Sequence, residues 1–119
     1  MPSERPKQRF EDIVENAESI LAYTKGLDFD AFCRNRLIRD GTERCLERIS
    51  EAAHKLGPTA ELHLPHHPWR QIRDLGNILR HAYDNVDADI VWAIVTERLP
   101  SLIADARAVA SRLPDDPGT

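Results

Sequence analysis

From Pro68 to Val86, the apolar residues Ile72, Leu75, Ile78, Leu79, Ala82 and Val86 recur every three or four positions. On an α-helix that spacing gathers them on one arc about 120° wide. Arg73, Asn77, Arg80 and Asp84 fall on the opposite arc, with His81 at one border and Tyr83 at the other. No stretch alternates apolar and polar residues as a half-buried strand would. A chain patterned in this way has to build its core by packing helix against helix.

The remaining segments carry the same period. Phe10, Ile13, Val14, Ala17, Ile20 and Leu21 predict a helix from Gln8 to Lys25, stopped by Gly26. A long helix is expected from Asp28, whose carboxylate suits an N-cap, to Leu56, where Gly57-Pro58 ends it. Gly41 sits where its apolar stripe is thin, so a kink or a close neighbour is expected there. Residues 57–67 read as a loop with one helical turn at Thr59–Leu62. Pro68 is preorganised for the first turn of a third helix, running to Asn85. A fourth starts near Asp87 and is interrupted or restarted at Pro100, and the period then continues to Arg112. The expected fold is all-α, an antiparallel bundle of four or five helices. It forms one domain over residues 1–119, with frayed tails at 1–7 and 114–119.

No apolar run approaches the roughly 18 residues that span a membrane. The polar start MPSERPKQRFED lacks the apolar core of a signal peptide, so a cytoplasmic protein is expected. The net charge of -4 argues against a duplex-DNA binder that works by phosphate neutralisation. Local excesses of arginine exist nonetheless, at Arg34, Arg36 and Arg39 and at Arg70, Arg73 and Arg80. Cys33 and Cys45, placed in one helix, would stand about 18 Å apart, too far for a disulfide. His63, His66 and His67 form a His-x-x-His-His set. No carboxylate or cysteine completes a recognisable ligand pattern, so the sequence assigns no metal and no cofactor.

The polar arc carries the chemistry. Arg73, Asn77 and His81 are four residues apart and line one side of the helix. Histidine exchanges protons near neutrality, arginine holds phosphate oxygens in a planar fork, and asparagine both donates and accepts. Such a set suits metal-independent cleavage of an RNA phosphodiester. The histidine would act as acid or base, and the arginine would stabilise charge building on the phosphorus oxygens. Arg70 and Arg80 are candidates for holding the phosphate backbone. His81 and Tyr83 are about 200° apart on a regular helix, so a shared site needs a distortion or a second subunit.

The segment PWRQIRDLGNILRHAYDNVDADIVWAIVTERLPSL, with ERCLERISEAAHKL upstream, resembles the HepT-like ribonucleases of the HEPN superfamily. The likeness is most specific at Asn77, His81, Tyr83, Trp92 and the Leu99-Pro100 pair. It implies an all-α homodimeric toxin that cleaves RNA without metal. It also implies a minimal nucleotidyltransferase antitoxin as partner, which transfers AMP onto a tyrosine. The motif is an arginine, four to six residues, a histidine, one residue and a tyrosine. The histidine and tyrosine correspond to His81 and Tyr83. The arginine position directly before the asparagine is Gly76 here. Arg73, one turn earlier, is the expected substitute. The alternative is a helical module that binds the nucleotidyltransferase without cleaving RNA.

Overall fold

The computed structural model describes residues 4–81 and 87–117, except for the side chain of His81. Helix α1 spans Pro6–Thr24, α2 Phe29–Arg34, α3 Arg36–Leu56, α4 Pro58–His63 and α5 Trp69–His81. Helix α6 (Ala88–Ala93) passes through a π-helical turn at Ile94–Arg98 into α7 (Leu99–Arg112). The all-α bundle expected from the sequence is present, with α1 packed on α3 and α7, and α3 packed on α5. Among the described residues, no helix is long and apolar enough to cross a membrane.

The core follows the helical period. Phe10, Ile13, Ala17 and Ile20 of α1 are fully buried against Leu46, Ile49, Ala53 and Leu56 of α3 and Leu102, Ala106 and Val109 of α7. Trp69 is buried at the start of α5, where its indole N–H donates to the Leu64 carbonyl at 2.7 Å. Phe32 of α2 packs on the Trp92 ring of α6, with centroids 5.0 Å apart.

Three expectations need correction. The single helix predicted over 28–56 is two helices, broken at Asn35 rather than at Gly41. The Asn35 side chain accepts a hydrogen bond from the Ile38 N–H at 3.0 Å. A short amide that can replace an intrahelical partner favours a cap over continuation. Gly41 lies inside an unbroken turn, where an added Cβ would only touch the Tyr23 ring at 3.5 Å. Cys33 and Cys45 are therefore on different helices, and both are free thiols. Finally, Asp116 is not a loose tail residue. Its carboxylate accepts from the Lys7 and Gln8 N–H groups at 3.1 and 2.8 Å, capping the α1 N-terminus from the far end of the chain.

Helix α5 is set against α3 at one close crossing. The Ser50 hydroxyl donates to the Arg73 carbonyl at 2.8 Å and accepts from the Gly76 N–H at 3.1 Å. A Cβ on Gly76 would fall 2.4 Å from the Ser50 Oγ and 2.8 Å from its Cβ. Gly76 is thus a contact residue between helices and has no room for a side chain. Gly76→Ala is expected to cost about 1–3 kcal/mol, as overpacking does, measured by urea denaturation. The added change Ser50→Gly should recover part of that loss. An unchanged midpoint in the single variant would show that the helices separate freely here.

Candidate active site on helix α5

The residues singled out by the sequence divide between two sides of α5. Arg73 faces α3 and α4. Its guanidinium donates to both carboxylate oxygens of Glu61, at 2.6 and 2.8 Å, and to the Gly57 carbonyl at 2.8 Å. Its Nε donates to the Ala53 carbonyl at 3.3 Å. These carbonyls lie at the C-terminal end of α3, where each also accepts a backbone N–H, Ala53 from Gly57 and Gly57 from Ala60. Gly57, at φ +55°, makes the left-handed turn that releases the chain into α4 and brings Glu61 within reach. The fork geometry of arginine satisfies all four acceptors together. The arginine expected to stand beside Asn77 and His81 is instead a clasp joining α3, α4 and α5.

Asn77, Arg70 and Arg80 are exposed. Positions 70, 77 and 81 lie within about 40° of one another on a regular helix, forming the outer ridge of α5. Arg80 lies on the flank toward α3. One of its guanidinium nitrogens reaches back to within 3.4 Å of where a Gly76 Cβ would be. Helical side chains lean toward the N-terminus, which is how a residue one turn later covers this spot. Arg80 therefore places positive charge above the glycine. His81 is the last described residue of α5, and its side chain, like all of Tyr83, lies outside the described residues. The relation of those two groups is not part of the geometry above.

Sequence reading passed over one neighbour. The crossing pairs, 54 with 73 and 50 with 76, show that α3 and α5 run antiparallel. The same register sets Glu47 of α3 abreast of Arg80, with Glu43 one turn further along α3. Burial raises the Glu43 carboxyl above its ordinary pKa, Asp40 and Glu47 add to this, and Arg39 opposes it. The only sequence signal for this was the clustering of Arg39, Asp40, Glu43 and Glu47, which looks like an ordinary charged face.

A third cluster joins residues that are remote in sequence. His66 and His67, from the turn before α5, both direct Nε2 at one oxygen of Asp105 on α7, at 3.0 and 2.7 Å. These bonds, that from His67 above all, hold the Asp105 carboxyl below its ordinary pKa. His63 stands apart from them, edge-on to the Phe10 ring.

A family model described as "Ribonuclease HepT-like" matches residues 13–109. The chain is 34% identical over 98 residues to the protein named "Putative RNase MJ1380" of Methanocaldococcus jannaschii, covering 82% of this chain and 90% of that one. It is 33% identical over 96 residues to "Probable ribonuclease HepT" of Thermococcus cleftensis, covering 81% and 87% respectively. No solved structure matches it.

The Arg73 clasp has a pH signature. Hydrogen bonds from Arg73 lower the Glu61 pKa in the folded chain. A carboxylate with a depressed folded pKa stabilises the fold above its unfolded pKa, and loses that contribution as pH falls through the folded value. Glu61 is 46% exposed, so solvent screening limits the pair to about 0.5–1 kcal/mol. Glu61→Gln is expected to lower stability by that amount at pH 7 and to match the parent in acid. Chemical denaturation at both pH values checks this. An equal deficit at both would assign the effect to packing.

Proposed function

The chain belongs to the ribonuclease HepT-like family, and on that premise we propose that it is a metal-independent endoribonuclease. His81 is its proton-transfer residue and Arg80 its phosphate-stabilising arginine. In this reading His81 takes the proton from an RNA 2′-hydroxyl. The 2′-oxygen attacks the adjacent phosphorus, and the 5′-oxygen leaves. Arg80 neutralises the charge that builds on the equatorial oxygens, where a fixed donor contributes most. Asn77 orients the phosphate, and Arg70 meets the backbone further along the ridge. The observation that carries the assignment is the Arg80 guanidinium lying over Gly76. Arg73, with its fork committed to Glu61 and two carbonyls, acts here as a structural residue.

The same reading includes regulation and assembly. A minimal nucleotidyltransferase acting as antitoxin would silence the toxin by placing AMP on Tyr83, adding bulk and negative charge to that residue. A homodimer would bring two α5 ridges together. Its support is an apolar groove of about 550 Å³, whose lining includes Ile72, Leu75 and Ile78 of α5 and Ile90 and Ile94 beyond it. Ile78 and Ile90 are 56% and 55% exposed there. Paired residues of this kind on the rim of an apolar groove fit a two-fold contact.

Cleavage of a mixed RNA pool in excess EDTA tests the catalytic reading. The wild type should cut, and His81→Ala should not. Arg80→Ala should lower kcat by about 10²–10³, the effect of losing a transition-state donor. Arg73→Ala should mainly lower thermal stability, with kcat per folded molecule changed less than tenfold. If the wild type cuts no RNA, Gly76 marks a silent site and the chain is a nucleotidyltransferase-binding module. For the assembly, sedimentation at micromolar concentration should give a dimer for the wild type and a monomer for Ile78→Glu. A monomeric wild type would refute the dimer.

A further inference from the structure

We propose that His66, His67 and Asp105 form a binding site for a zinc-class divalent cation, separate from the α5 ridge. The donor types are those that zinc and its neighbours prefer, two imidazole nitrogens and one carboxylate oxygen. They come from segments 38 and 39 residues apart, so the fold itself assembles them. The three donor atoms lie within 4.8 Å of one another. Tetrahedral zinc with bonds of 2.0–2.1 Å separates its ligand atoms by about 3.3 Å. The Nε2 atoms already stand 3.0 and 2.7 Å from the Asp105 oxygen. Admitting a cation thus requires the two Nε2–oxygen distances to open by about half an ångström. The two histidine nitrogens, within 4.8 Å of each other, must draw in toward about 3.3 Å, a movement the exposed His66 ring can supply.

The surroundings fit this role. The His67 ring is nearly buried and makes an edge contact with Trp69, with centroids 6.1 Å apart, so one ligand is held rigidly. His66 is exposed, which leaves the outer side open for a water as fourth ligand. The two rings are 4.5 Å apart at a tilt of 41°. One divalent cation would use all three donors. Bound there, it would fasten the turn before α5 to α7, while the catalytic end of α5 stays outside its coordination sphere. Each imidazole would present its Nε2 lone pair to the cation and carry its proton on Nδ1.

The test uses the full chain without a histidine tag, stripped with chelator and titrated with zinc chloride or cobalt chloride. Calorimetry should give one ion per chain. Cobalt should show the visible absorption of a four-coordinate site, and zinc should raise the melting temperature. Asp105→Asn and His66→Gln should each weaken zinc binding at least tenfold, whereas His63→Gln should leave it unchanged. Asp105→Asn preserves shape, and His66 is a surface residue, so far-ultraviolet circular dichroism should confirm that both fold. The proposal is overturned if the wild type takes up no stoichiometric ion. It is also overturned if both variants bind as the wild type does, or if His63→Gln abolishes binding.

Discussion

The close approach of Gly76 to Ser50 fixes where everything on α5 can be. One hydroxyl serves two backbone groups of a neighbouring helix, donating to the Arg73 carbonyl and accepting from the Gly76 N–H. A hydrogen bond of this kind contributes only about 1 kcal/mol net. Its larger effect is geometric, because the backbones meet at a distance that excludes any side chain at position 76. The register of α5 on α3 is thereby set to a single residue. Once it is set, Arg73 falls beside the end of α3, and Asn77 faces outward.

The arginines show how packing decides chemistry that sequence spacing leaves open. Arg73 and Arg80 are two turns apart and share a flank of α5. Arg73 meets two carbonyls and a carboxylate, and hydrogen bonding to Glu61 raises its already high pKa. Arg80 lies further from that helix end, exposed, with its guanidinium reaching back over Gly76. Two residues of the same type thus differ in role, one tying three helices together and the other left on the surface.

Much of this was legible in the sequence. The helical period located α1, the Pro68-Trp69 start of α5, and the burial of Ile13, Leu79 and Val109. Composition and period together exclude a sheet. Less legible were features created by contacts between distant segments. Asn35 looks like any polar helix residue until its amide is seen capping α3. Glu61, in the loop after Gly57, reveals nothing of Arg73 twelve residues on. Asp105 is one acid on an amphipathic helix, and only the fold brings it to His66 and His67. Periodicity reports which face is buried. It does not report which polar group on another element a given side chain will find.

The last helix carries its own phase shift. At Ile94–Arg98 the backbone takes one extra residue per turn, and the Leu99 N–H bonds to the Ile94 carbonyl. Pro100 has no N–H to continue the regular ladder and crowds the carbonyl four residues back, which the wider turn accommodates. The inserted residue rotates the two halves relative to each other by about 100°. Val91 and Val95 ahead of it, and Leu102, Ala106 and Val109 behind it, are all buried. Removing one residue from this turn would swing Ile90 and Ile94 by about 100° relative to α7, and Val91 and Val95 with them. The length of this turn therefore sets both the wall of the groove and the part of the core behind it.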